Sequence, residues 1–283
     1  MGTFKGIIAL DIDGTITVER YTLEKEVGHY LNRLIAEGWL LVFLTGRTYS
    51  FTLPVLSSLK GNYFLAVQNG AALYEMPKAR CIKKHYVSMK DLWEIDPIFQ
   101  KEEGGLLVES GKENEDLCFY KPHDFTAEEM EYINFRIELT PEKWVPVDSF
   151  NEFSFQEFAV GKYFAREPQA LDIAARILKK LPLNVIVIRD PFRPGFHLGH
   201  VNAILTSKGQ ILEEFIALYG SDLPVIAAGD DYNDVEMLEK STIKVVMKNG
   251  PEQLHALADI LAPPAAERGI IQALKESIQL LKS

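Results

Sequence analysis

Four short stretches of this 283-residue sequence carry residue types that can do chemistry at useful spacing. The first is Asp11-Ile12-Asp13-Gly14-Thr15-Ile16, directly after an apolar run. Two carboxylates two residues apart on a continuing strand point to opposite faces. They converge only if the chain turns, and Gly14 permits that. An acidic turn with no chemistry would use the same letters. The second stretch is Leu44-Thr45-Gly46-Arg47. A hydroxyl and an exposed amide beside a helix start can hold a phosphate, although a plain strand-to-helix turn fits as well. The third is Lys208, at the start of a helix, where the dipole favours anions over cations. Its position suits a lysine that holds an anion, or a solvated one. The fourth is Gly229-Asp230-Asp231-Tyr232-Asn233-Asp234. Three carboxylates and an amide so close together repel without a cation, and oxygen ligands of this kind suit Mg²⁺. The alternative is an acidic helix N-terminus stabilised by the dipole.

The elements that must position these residues show in the periodicity. Residues 6–12 read as a buried strand, 23–37 as a helix stopped by Gly38, and 40–44 as a second strand. Residues 50–59 read as a short helix whose Pro54 suits only a first turn. A third strand at 64–68 precedes the Asn69-Gly70 turn and the segment 71–75. The last third resumes this rhythm. Ser207 caps a helix to about residue 219 with Gln210 as its capping-box partner. Strands follow at 224–228 and 243–247, with a short helix at 235–238 between them and a closing helix at 267–281. Such alternation predicts an α/β fold, a Rossmann-like parallel sheet with helices on both faces. The middle differs. Strands at 106–108, 117–120 and 185–188, an extended aromatic stretch at 153–164 and two helices predict an inserted α+β domain. One helix spans 126–139, capped by Thr126 and Glu129. The other starts at Pro168, with Leu171, Ala174, Leu178 and Leu181 on one face. The core domain is therefore expected at 1–82 and 198–283, with the insertion at 83–197.

Composition narrows the partners. A net charge of −10 argues against a broad nucleic-acid surface. Small anionic substrates remain open, because a metal or a few cations can reverse the sign in one pocket. Cys81 and Cys118 are too few for a disulfide framework or a cysteine zinc site, and suit reduced thiols in a cytoplasmic protein. The opening Met1-Gly2-Thr3 leads into no signal-peptide pattern, and no apolar run is long enough to span a bilayer.

Weaker candidates lie in the middle. Arg189, Arg193 and His197 cluster beside Pro191, Pro194 and Gly195, as a substrate-reaching loop or a solvated one. Lys83, Lys84 and His85 read as a solvated basic face. His197 and His200 have a spacing seen in metal pairs, but no nearby acid completes a site. Phe150, Phe153, Phe155 and Phe158 read as core.

Taken together, the four stretches resemble the haloacid dehalogenase-like hydrolases. The Gln68-Asn69-Gly70-Ala71 turn, Thr206-Ser207-Lys208-Gly209 and Val245-Val246-Met247-Lys248-Asn249 extend the resemblance to the Cof-type branch, whose mixed α/β cap would correspond to the insertion. The resemblance implies a Mg²⁺-dependent phosphatase of small phosphorylated metabolites, sugar phosphates foremost, acting as a monomer or homodimer. It makes Asp11 the nucleophile that becomes an aspartyl-phosphate, and Asp13 the general acid and then base. Mg²⁺ would be held by Asp11, the Asp13 carbonyl and Asp230, with Asp234 and Asp231 behind them. Thr45, the Gly46 amide, Lys208 and Asn233 would cradle the transferring oxygens, and Arg47 would serve substrate or structure. Relatives that are transport ATPases carry Thr at the position of Asp13, and dehalogenating members lack that acid. Two alternatives stand beside the phosphatase: a phosphosugar mutase, and a non-catalytic regulator that binds a phosphometabolite.

Overall fold

Residues 4–99, 104–190 and 192–282 are described here from a computed structural model of the chain. Met1, Gly2, Thr3 and Pro191, which entered the sequence reading, lie outside them. The chain divides into two compact units, one of residues 1–47, 52–84 and 207–283, the other of 48–51 and 85–206.

The first unit is built on an eight-stranded sheet. Its order is Ile260–Ala262, Ile243–Met247, Val225–Gly229, Gly6–Leu10, Trp39–Leu44, Tyr63–Val67, Ala72–Met76, Arg80–Lys84. Strands from Ile260–Ala262 to Tyr63–Val67 run parallel, and the last two add antiparallel. The parallel strands are buried on both faces, as their unbroken apolar runs require. Ile7, Ala9, Val42 and Leu44 point to one side, where Ile211, Leu212 and Phe215 of the Lys208–Tyr219 helix and Met237 and Leu238 pack. Their alternates Ile8, Leu10, Leu41 and Phe43 are equally buried. Helices Lys25–Ala36 and Gly269–Leu280, which touch each other, cover that other face.

The second unit has a six-stranded sheet, ordered Leu183–Arg189, Phe196–Ala203, Val160–Arg166, Leu107–Glu109, Leu117–Tyr120, Lys143–Pro146. Only the last pair is parallel. Val108, Tyr163 and Val201 pack with Leu92 and Ile95 of Met89–Phe99 and with Ile173 and Ile177 of Glu167–Lys180. Leu107, Phe164 and Leu198 face the other way, onto Tyr132 and Ile133 of Ala127–Leu139. Thr126 and Glu129 form the expected capping box on that helix.

Three expectations need correction. The buried side of Glu167–Lys180 is Ala170, Ile173, Ala174 and Ile177, while Leu171 and Leu178 are about half exposed. Ala170, Ile173 and Ile177 form a stripe at helical spacing that packs into the core of this unit, and Leu171 and Leu178 fall outside it. Pro54 sits inside Tyr49–Leu56, not in its first turn, so the Ser50 carbonyl has no amide four residues on to accept from. A third helix in the second unit, Met89–Phe99, went unpredicted because Pro97 interrupts its pattern. No helix among the described residues is long and apolar enough to cross a membrane.

Candidate phosphate and cation site

Gly6–Leu10 and Val225–Gly229 are neighbouring parallel strands, and the sheet order reverses between them. In open α/β sheets such a reversal leaves a crevice at the carboxyl ends of the strands, where ligands bind. Asp11 follows the first of these strands and Asp230 the second. The Asp11 amide donates to the Ala228 carbonyl at 3.0 Å, continuing the ladder. The chain then turns, with Gly14 at φ +75° and its amide on the Thr17 carbonyl at 2.8 Å. A β-carbon at Gly14 would lie 2.1 Å from Asp230 Oδ2, so only glycine lets the two loops approach.

Residues distant in sequence meet here. Lys208 Nζ, almost fully buried, donates to Asp11 Oδ1 at 2.6 Å and to Asp234 Oδ1 at 2.7 Å. The Lys208–Tyr219 helix delivers it, and Ser207 Oγ caps that helix by accepting the Gln210 amide at 3.0 Å. Asp234 Oδ2 accepts the amides of Asp230 and Asp231 at 2.9 and 3.0 Å, which folds the acidic loop back on itself. Asp231 accepts the Tyr232 amide at 2.8 Å and is spent on the turn. Oxygens of Asp11, Asp230 and Asp234 lie within 4.8 Å of one another. Asp11 Oδ2 is buried and accepts no hydrogen bond.

The Thr45 loop closes another side. Thr45 is buried, and its Oγ1 accepts the Arg47 amide at 3.1 Å. Arg47 is buried too, but its guanidinium forks onto Asp13, with Nε on Oδ2 at 2.8 Å and Nη2 on Oδ1, and Nη1 on the Arg20 carbonyl. A bidentate grip of this kind fixes orientation as well as charge. In this structure Arg47 holds the second acid of the pair. Asn233 Nδ2 donates to Asn69 Oδ1 at 3.1 Å.

A family model for haloacid dehalogenase-like hydrolases matches residues 8–274. The chain belongs to this family. It is 25% identical over 297 residues to the 5-amino-6-(5-phospho-D-ribitylamino)uracil phosphatase YitU of Bacillus subtilis, covering 99% of this chain and all of that one. A haloacid dehalogenase-like hydrolase from B. subtilis superposes with a TM-score of 0.79 at 19% identity, over 95% of this chain and 99% of its own. A sugar phosphatase of subclass IIB superposes at 0.73 with 21% identity, over 96% and 98%.

The electrostatics of this hydrolase point to a cation. Three carboxyl groups face one ammonium in a buried space, so ionising all of them would leave two negative charges uncompensated. Burial pushes Asp11 up to about 7 despite Lys208, with Asp234 and Asp13 adding repulsion. Burial also pushes Asp230 up to about 9, helped by Asp11 and Asp234. Burial pulls the Lys208 ammonium down, but Asp11 and Asp234 outweigh it and raise it on balance. An all-oxygen donor set of three carboxyl groups fits Mg²⁺, whose charge removes the repulsion. Asp11 and Asp230 are the residues free to hold it, since Asp234 is committed to Lys208 and two amides.

A stability prediction follows from the raised carboxyls. Both folded values exceed the ordinary 3.8, so the metal-free fold binds more protons than the unfolded chain between about pH 4 and pH 9. These two groups therefore cost stability progressively as pH rises through that window. Mg²⁺ needs them ionised, so the rise in unfolding temperature on replacing chelator with Mg²⁺ should be larger at about pH 8.5 than at about pH 5.5. A rise of equal size at both would contradict this account.

Two contributors were not singled out in the sequence. Asn69 is fully buried beneath Asn233 and the Thr45 loop. Asn249 Nδ2 donates to the Gly14 carbonyl and to Asp230 Oδ2, both at 2.9 Å, and its Oδ1 accepts the Ala265 amide at 3.1 Å. Both sat in stretches noted for resemblance, without a local pattern that marks a role. Arg193 pairs with Glu128 and stacks on Phe196, with its Cζ 3.7 Å from the ring centroid. Arg189 is exposed, opposite His197 across the strand pair. His197 and His200 are three apart on one strand and so face opposite sides of the sheet. Lys83 pairs with Glu214 at 3.8 Å. Phe150 and Phe158 are core, and Phe153 stacks on Phe155.

Proposed function

We propose that this hydrolase is a Mg²⁺-dependent phosphatase of small phosphorylated metabolites, sugar phosphates among them, acting through an aspartyl-phosphate on Asp11. The observation that carries the reading is the Asp11 carboxylate itself. One oxygen is held by Lys208 and the other is buried with no hydrogen-bond partner. A carboxylate fixed at one end and uncommitted at the other is set to attack phosphorus. The named relatives support the substrate class: one is a sugar phosphatase, another a phosphatase of a phosphorylated ribityl compound.

In this mechanism Asp11 forms a bond to phosphorus as the bond from phosphorus to the alcohol oxygen breaks. Asp13 gives its proton to the departing oxygen. Water then attacks the aspartyl-phosphate, Asp13 takes the proton from that water, and phosphate leaves with Asp11 restored. Lys208, the Gly46 amide, Thr45 and Asn233 hold the equatorial oxygens as charge develops. Arg47 sets where the Asp13 carboxylate waits. Mg²⁺ on Asp11 and Asp230, with the Asp13 carbonyl, would neutralise the approach of one anion to another. Selection among substrates is assigned to the inserted unit, because the reacting groups belong to the first.

The test is a panel of phosphorylated sugars and other metabolites, with phosphate release followed with and without Mg²⁺. Release that requires Mg²⁺ is expected. A panel that binds without turnover would replace the reading with a regulator, and isomer formation primed by a bisphosphorylated sugar would replace it with a mutase.

A further inference from the structure

Gln68, Asn69 and Gly70 follow the Tyr63–Val67 strand with three successive left-handed φ angles, +52°, +57° and +100°. The glycine has a spatial reason, since a β-carbon there would lie 2.6 Å from the Ser207 carbonyl oxygen. Two non-glycine residues in that region are unfavourable, and both are fully buried. Their amides show what the conformation achieves. Gln68 N–H donates to the Arg47 carbonyl at 2.9 Å and Asn69 N–H to the Thr45 carbonyl at 2.8 Å.

The Thr45 carbonyl belongs to the same planar trans peptide as the Gly46 N–H, so the two point in opposite directions. By gripping that carbonyl, Asn69 fixes where the Gly46 N–H points. The Asn69 side chain meanwhile accepts one of the two hydrogens on Asn233 Nδ2. That restraint fixes the plane of the Asn233 amide and so the direction of its second hydrogen. Both donors belong to the cradle assigned above to the phosphate oxygens.

We propose that Asn69 is a positioning residue that aims two phosphate-oxygen donors, the Gly46 amide through its backbone and the Asn233 amide through its side chain. The inference rests on the phosphoryl-transfer reading of the site. Asparagine is the side chain that meets both demands, because it tolerates the left-handed region and carries an acceptor of the right length.

Asn69→Gly separates the two roles, since glycine keeps the left-handed backbone and removes the side chain with its acceptor. The expected result for para-nitrophenyl phosphate is a fall of about tenfold in kcat/KM, the scale of a small misplacement of a binding group. Inhibition by inorganic phosphate should weaken in parallel, with the unfolding temperature preserved. In an Asn233→Ala background the same substitution should add nothing, which a merely structural role would not produce. Asn69→Ser, with a shorter acceptor, is read the same way if the glycine variant does not fold. Wild-type constants in the single variant, or an equal loss in both backgrounds, overturn the proposal. If the wild-type protein hydrolyses no phosphomonoester, the phosphatase reading falls on its own. Calorimetry with inorganic phosphate then decides the role of Asn69: weaker binding only when Asn233 is present supports it, and unchanged binding overturns it.

Discussion

Asp11→Asn should abolish hydrolysis of para-nitrophenyl phosphate, with a loss of about 10³-fold or more, as removal of a nucleophile from a concerted set does. The amide is nearly the same size and can still accept from Lys208 through its oxygen, so the site keeps its shape. What disappears is the anionic oxygen that attacks phosphorus. The variant should fold, and its metal-free form should lose less stability at alkaline pH than the wild type, because one of the raised carboxyls is gone. Near wild-type turnover would refute the covalent mechanism.

Lys208→Met should damage both stability and rate. Nζ touches both Asp11 and Asp234, and all three groups are buried. Removing one partner of a buried ion set leaves uncompensated charge and costs about 3–5 kcal/mol. The sign with pH is set by the acids that remain. Without Lys208 the folded value of Asp11 rises further above its unfolded one, so the lost stability returns as pH falls and Asp11 binds a proton. Denaturant unfolding at two pH values with chelator present reads this directly, and a variant as stable as the wild type at alkaline pH would contradict it. Turnover should fall by about 10²–10³ even with Mg²⁺ saturating, because a preorganised cation for the transferring oxygens is gone.

Much of this centre was legible in the residues. Asp-x-Asp-Gly after one strand and Gly-Asp-Asp after another share a rim because those strands are neighbours, an order that alternation leaves open and that the family resemblance implied. Lys208 stood out because its place on a helix conflicts with the dipole, and its contacts with two acids explain the conflict. What escaped notice depends on partners that no local pattern names. Asn249 reaches a carbonyl 235 residues away, and an asparagine in a turn gives no sign of that. Asn69 looked like a turn residue and is one, but its importance lies in which carbonyl its amide meets. Arg47 was open between substrate and structure, and only the geometry shows its fork closed on Asp13. The face of Glu167–Lys180 was misjudged because two apolar stripes at helical spacing compete in that helix, and the one that packs into the core carries Ala170, Ile173 and Ile177 in place of Leu171 and Leu178.

The Lys208–Asp11 pair joins positions separated by 197 residues, and this bears on how the molecule is made. A ribosome adding roughly 5–20 residues per second emits Asp11 about ten to forty seconds before its lysine partner. Throughout that interval Gly6–Leu10 lacks its neighbour Val225–Gly229 and presents an unpaired, wholly apolar edge. Segment 85–206 is completed first and can condense while the earlier strands wait. Long-range pairing of this kind slows folding and lengthens exposure to aggregation. Nascent chains halted before residue 225 should therefore be the form most dependent on chaperones.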